Sequence, residues 1–99
     1  MEAFAALSDP TRRSIVELLG ERGELAAGDI AAHFPSARPT ISRHLRVLRD
    51  AGVVSVRSVA QQRRYALETD RLAELEAWLS RYRRFWVKHL IALDKKVKE

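Results

Sequence analysis

From Leu72 to Val97, apolar residues return every three or four positions: Leu72, Leu75, Leu79, Tyr82, Trp86, Leu90, Leu93 and Val97. That spacing is one face of an α-helix about seven turns long. Trp78 and Phe85 stand on an adjoining strip, with Ile91 nearby. One strip can cover a domain's own core, but a chain of 99 residues offers too little other surface to bury both. The chain is therefore predicted to be a small helical domain that hides its surplus apolar surface in an oligomeric interface.

Upstream of that helix, short helical and β-prone runs alternate with clear stops. A first helix is predicted over Glu2 to Leu7, with Phe4 and Leu7 on one side. Asp9 and Pro10 mark the next start. Aspartate offers an acceptor to exposed N–H groups, and proline suits the first helical position, where no N–H is needed. Ile15, Leu18 and Leu19 give the inner stripe of this second helix, and Gly20 and Gly23 stand where the chain is expected to leave it. A short bridge at Glu24-Leu25 leads to a third helix, Ala27 to Phe34, with Ile30, Ala31 and Phe34 facing inward and Pro35 as its stop.

Ser36 opens a fourth helix, Ala37 to Ala51, with Ile41, Leu45 and Leu48 as the buried stripe and Gly52 as its left-handed end. Pro39 falls within the turn that makes no internal N–H bonds, so the Ser36 hydroxyl is expected to cap the N–H of Arg38. Val53 to Val59 and Arg63 to Leu67 alternate as the strands of a hairpin, and Asp70 or Thr69 is expected to cap a long helix from Arg71 to about Lys98. The result is one mainly α domain over residues 1–99 with a small β-hairpin. Its order is that of a winged helix-turn-helix, with 27–51 as the helix-turn-helix, 53–67 as the wing, and extra helices at 1–7 and 70–98.

Charge gathers where such a fold would meet a polyanion. Lysine and arginine number 18 against 13 acids, a net +5. Between Arg38 and Arg64, seven arginines face one acid, Asp50, so that stretch alone carries +6 and the remainder −1. A basic block confined to one region suits a polyphosphate, with a merely solvated face as the plain alternative. In a helix-turn-helix, the second helix sets its N-terminal residues toward the bases of the major groove. With Ile41 turned to the core, Arg38, Pro39, Thr40, Ser42 and Arg43 face outward or toward the open end.

Arginine suits a bidentate contact to guanine, Ser and Thr bond base edges or phosphates, and Thr and Pro can touch a thymine methyl. Arg46 lies further along as a phosphate contact, with Arg49 either another or a partner of Asp50. Exposed helix faces usually balance their cations with acids four positions away, and this one lacks them. The hairpin tip contributes Gln62, Arg63 and Arg64, suited to the minor groove or flanking backbone, or else simply a soluble turn. Thr11, Arg12 and Arg13 open the second helix as either a phosphate site or partners for Glu17 or the last helix.

Two stretches together resemble the ArsR/SmtB family of bacterial repressors: Leu7-Ser8-Asp9-Pro10-Thr11-Arg12-Arg13-Ser14-Ile15, and Ile41-Ser42-Arg43-His44-Leu45-Arg46-Val47-Leu48-Arg49-Asp50-Ala51-Gly52-Val53-Val54. The resemblance extends over nearly the whole chain. It implies a homodimeric repressor on a palindromic operator in double-stranded DNA, with the fourth helix of each subunit in the major groove. It also implies that the first and last helices form the dimer interface, here Phe4, Leu7, Leu79, Tyr82, Trp86, Leu90 and Leu93.

Many members of that family sense metals through cysteines, or through Asp/His pairs in the last helix. This chain has no cysteine and three scattered histidines, His33, His44 and His89, the last with Asp94 beyond it. Ligands at that spacing diverge around a helix, and one pair is not a four-ligand site. No metal and no cofactor is expected, and the chain is most similar to the autorepressor-like subgroup that lacks a metal site. Without cysteine a reducing, cytoplasmic setting is expected, and neither a signal segment nor a run of about 18 apolar residues points to a membrane. No glycine-rich phosphate loop, paired carboxylates or activated nucleophile suggests an enzyme. Two alternatives share the fold: a ligand- or metal-responsive sensor, and a protein-interaction module without DNA binding.

Overall fold

The computed structural model describes residues 2–98, with side chains described for residues 2–89 and 91. In chain order its elements are α1 (Glu2–Ala6), α2 (Pro10–Arg22), β1 (Leu25–Ala26), α3 (Ala27–Ala32), α4 (Arg38–Asp50), β2 (Val54–Val59), β3 (Gln62–Leu67) and α5 (Thr69–Lys98). This is the winged helix-turn-helix order expected from the sequence, with helices added at both ends.

The helix starts follow local chemistry, with corrections. Asp9 has extended backbone and its Oδ2 accepts the Arg12 N–H at 3.0 Å, while Pro10 takes the first helical position. α2 runs on through Gly20, contrary to the exit expected there. Ile15 and Leu19 are buried beside it, and the left-handed turn (φ 77°) falls on Gly23, whose N–H reaches the Leu19 carbonyl. Packing of the inner face thus outweighs the cost of about 1 kcal/mol for a glycine inside a helix.

Ser36 does not cap α4 either. Ala37 is the N-cap and offers no side-chain bond, and its carbonyl accepts from the N–H groups of Thr40 and Ile41 at 3.0 and 3.2 Å. Pro39 therefore sits at the second helical position, where it removes one of the donors a cap would otherwise serve. At the other end, Gly52 adopts φ 76°, its N–H bonds the Arg49 carbonyl, and the Val53 N–H bonds the Leu48 carbonyl. These paired bonds form a Schellman ending that delivers the chain directly into the wing.

The core is formed by Ile15, Leu19, Ile30, Ile41, Leu45, Leu48, Val53 and Val54, each at most 2% exposed. Burial of each such side chain stabilises the fold by about 1.5–3 kcal/mol. The sheet has three antiparallel strands in the order β1-β3-β2, not a hairpin alone. The bridge read as Glu24-Leu25 supplies the third strand, pairing Leu25 with Tyr65 and Ala26 with Arg64. Two residues are too few to show strand alternation in sequence. The hairpin closes at the Val59–Gln62 pair over Ala60-Gln61, and Ala60 takes φ 54°, the one positive value at a non-glycine among the described residues.

α5 starts at Thr69, and the Leu72 N–H bonds the Glu68 carbonyl, so Thr69 and Asp70 lie inside the first turn and neither is the cap expected. Asp70 in that turn favours the positive end of the helix dipole. Leu75 is buried, Leu72 is half-buried, and the Trp78 ring lies 4.7 Å from that of Phe4 on α1. Beyond that contact α5 leaves the core. The chain measures 63 × 28 × 22 Å, and its radius of gyration of 17.3 Å exceeds the roughly 13 Å of a compact domain of about 100 residues.

Of the three left-handed positions among the described residues, Gly23, Gly52 and Ala60, the last two differ in how well their residues suit them. Ala60→Gly is expected to raise the unfolding free energy by about 0.5 kcal/mol, the left-handed penalty less the unfolded-chain entropy of glycine. Gly52→Ala is expected to lower it by about 1 kcal/mol, because its Cβ would in addition stand 3.0 Å from the Arg71 guanidinium. Urea unfolding at one fixed protein concentration measures both, and equal midpoints for all three chains would contradict this reading.

Candidate nucleic-acid interface

α4 has two unlike faces. Ile41, Leu45 and Leu48 are at most 1% exposed, which fixes the rotation of the helix about its axis. Arg38, Pro39, Ser42, Arg43 and Arg46 are consequently exposed, and Thr40 is half-buried. Helical spacing sets Pro39, Ser42, Arg43 and Arg46 along one outward strip. No acid lies in the first turn of α4, and Asp50 at its far end is 3.5 Å from Arg49. Of the two roles open to Arg49, the structure shows the pairing with Asp50. At this exposure the pair is worth no more than about 1 kcal/mol.

The wing tip comes to the same side as the start of α4. Arg38, Gln62 and Arg63 line one depression with Gly28 and Asp29 of α3. The Arg38 guanidinium lies over Gly28, 3.3 Å from where a Cβ would stand. Arg64 belongs to a different arrangement. Its Nε donates to Glu24 Oε1 at 2.8 Å and its Nη1 to Gln62 Oε1 at 3.1 Å. Arg57 grips the same carboxylate with two 2.8 Å bonds, Nε to Oε2 and Nη2 to Oε1. Hydrogen bonds from Arg57 first, then Arg64, hold the Glu24 carboxyl down to about 2, and the same bonds raise Arg57 above its ordinary value.

Sequence reasoning missed Glu24 and Arg57 as a unit. One signal was available. The hairpin register places Arg57 directly opposite Arg64, and like charges at opposed positions repel unless an anion sits between them.

Arg12 and Arg13 pair neither with Glu17 nor with the last helix. Arg12 donates through Nε to the Ala6 carbonyl and through Nη2 to that of Ala5, and Arg13 donates to the Leu7 carbonyl at 3.0 Å. The two guanidiniums thus satisfy carbonyls at the end of α1, a five-residue helix too short to hold itself. Arg12 Nη1 also donates to His44 Nδ1 on α4 at 3.3 Å. A guanidinium carries no acceptor, so in this contact the ring nitrogen is the acceptor. Asp9 Oδ2 stands 3.9 Å from the same ring, and its carboxyl lies below the usual range chiefly because it accepts the Arg12 backbone N–H.

The residues expected at a dimer interface divide in two. Phe4 and Leu7 are half-buried against the core. Leu79, Tyr82 and Trp86 are 50%, 47% and 58% exposed, and Phe85 and Ile91 are similarly open. Leu90 and Leu93 lie outside the described side chains. The Trp78 ring lies 4.2 Å from that of Tyr82 and 4.7 Å from that of Phe4, tilted against both, so the open strip is continuous with α1.

Residues 7–57 match a family model described as a helix-turn-helix domain. The transcriptional repressor SdpR of Bacillus subtilis (strain 168) is 45% identical over 76 residues, which span 77% of this chain and 83% of that protein. The chain belongs to the ArsR/SmtB family. A crystal structure of an ArsR family transcriptional regulator superimposes with a TM-score of 0.75 at 32% identity, covering 86% of this chain and 87% of that one. A solution structure of a homodimeric winged helix-turn-helix DNA-binding domain from Mycobacterium bovis, described as a possible ArsR-family regulator, gives 0.68 at 26% identity over 89% and 81% of the two chains.

The three histidines lie apart, each with a neighbour of its own. His33 Nδ1 lies 2.8 Å from the Asp29 carbonyl, His44 is engaged by Arg12, and His89 stacks on Phe85. Among the described residues, no three His, Asp or Glu side chains cluster together. No helix among them is long and apolar enough to cross a membrane.

The Glu24 clasp carries a defined pH dependence. A carboxyl lowered from 4.5 to about 2 on folding stabilises the protein fully above the higher value and loses that contribution as pH falls toward the lower one. The stability difference between the wild-type chain and Glu24→Gln is therefore expected to hold steady above pH 4.5 and to vanish near pH 2. Thermal melts across that range read it, and a difference independent of pH would contradict the clasp.

Proposed function

We propose that this chain is a cytoplasmic, non-enzymatic transcriptional repressor that binds a palindromic operator in double-stranded DNA as a homodimer. The observation that carries the reading is the outward face of α4, exposed, rich in arginine and without acids until Asp50. Arg38, Pro39, Thr40, Ser42 and Arg43 are the candidates for base contact, and Arg46 for phosphate. Gln62 and Arg63 at the wing tip reach the flanking groove or backbone, with Arg64 behind them. Homodimerisation is supported by the open apolar strip of α5 and by the likeness to a homodimeric domain of the same family. Phe4, Leu7, Leu79, Tyr82 and Trp86, extended by Leu90 and Leu93, are its candidate residues. With no cysteine to serve as a thiolate ligand, the chain is read as a member of the subgroup that works without a metal.

The direct test is a titration of the purified protein with the DNA upstream of its own gene, against random duplex of equal length, from about 50 to 200 mM salt. Selective binding with a steep salt slope is expected. Weak and equal binding to both duplexes would favour a protein-interaction module instead. On the selected sequence, Arg43→Ala is expected to cost about 1–3 kcal/mol and to relax preference at one base position. A loss equal on all sequences would reassign Arg43 to phosphate. Trp86→Asp is expected to leave a folded monomer or an unfolded chain in sedimentation equilibrium, and an intact dimer would remove α5 from the interface.

A further inference from the structure

Glu24 lies outside the basic block in sequence, yet its carboxylate is the anion that two wing arginines hold. Arg57 on β2 and Arg64 on β3 are register partners, and three bonds of 2.8 Å bring both guanidiniums onto the one carboxylate. A phosphodiester offers the same recognition chemistry: one negative charge shared by two oxygens that accept a guanidinium fork. The clasp is open to solvent, with side-chain exposures of 66% for Arg57, 29% for Arg64 and 26% for Glu24. It is also continuous with the rest of the basic face. Arg64 bonds Gln62, and Gln62 lines the depression shared with Arg38 and Arg63.

We propose that Arg57 and Arg64 form a phosphate site on the wing that the Glu24 carboxylate occupies in the free protein and a DNA backbone phosphate takes over on docking. The proposal rests on the DNA-binding reading above and adds to it an internal competitor. The wing's outer arginines are held ready in fork geometry, but any duplex must displace a charge-assisted contact to use them. Glu24 therefore weakens binding to operator and random duplex alike, while base contacts from α4 are untouched.

The test compares the wild-type chain, Glu24→Gln, Arg57→Gln/Arg64→Gln and the triple variant on the upstream and random duplexes, with the fold of each checked by circular dichroism. Glu24→Gln is expected to bind both duplexes more tightly, with a salt slope steeper by about 0.9 per subunit, the share of one unit of charge. The decisive comparison is the cycle. The arginine substitutions are expected to lose severalfold more affinity in the Glu24→Gln background than in the wild type, because only there are the guanidiniums free. Equal losses in both backgrounds would reduce Glu24 to a general charge and overturn the proposal.

A second measurement needs no variant to fold. In the wild-type chain the arginine Nε–H resonances of Arg57 and Arg64 are expected to shift when upstream duplex is added. If the duplex binds and those resonances stay in place, the clasp stays closed and the proposal fails alone. If the wild-type chain binds neither duplex, the DNA-binding reading and the proposal fall together.

Discussion

Burial of Ile41, Leu45 and Leu48, each at most 1% exposed, fixes the rotation of α4 about its axis and so decides what that helix shows to solvent. Each of these side chains would cost about 1.5–3 kcal/mol to expose, so no rotation that turned the arginines inward could compete. The Schellman ending at Gly52 then fixes where the wing departs, and the short strand β1 fixes the wing sheet from its other edge. Arg38, at the start of α4, and Gln62 and Arg63, at the wing tip, meet across α3 because both ends of this connection are held by buried packing and backbone bonds.

The second constraint is the mismatch between α5 and the domain it leaves. Leu75 and Trp78 belong to the chain's own core and to α1, whereas the residues from Leu79 onward that are described meet no core at all. An apolar strip of this size is more than a small domain ordinarily leaves to water, and the homodimer proposed above would cover it with the same strip of a second copy. Arg12 has a place in the same economy. By bonding carbonyls of α1 and the His44 ring, one guanidinium links the helix beside that strip to the helix that carries the basic face.

What the sequence revealed and what it hid have physical causes. Asp9-Pro10 and Gly52 were legible because each serves a local need of the backbone within a few residues. The buried stripe of α4 was legible because helical periodicity repeats across it. Ser36 misled because a nearby hydroxyl is only one way to end a helix, and Pro39 had already removed one of the donors to be satisfied. β1 was hidden because two residues carry no period, and its partners lie some forty positions away. Glu24 was hidden for the same reason of distance: its role exists only once the sheet brings Arg57 and Arg64 to it. Arg12 and Arg13 were read as a phosphate site or as partners of Glu17 or the last helix, because the carbonyls they bond are brought near only by how α1 folds back, a tertiary fact.

The most direct measurement of the central claim is a hydroxyl-radical footprint of the protein on the DNA upstream of its gene. Two recognition helices held by a symmetric dimer should protect two patches on one face of the duplex, separated by about 10–10.5 base pairs or a multiple of it, with lighter protection outside each from the wing. A single unpaired patch, or uniform protection that follows no helical phase, would contradict a dimer reading DNA through α4.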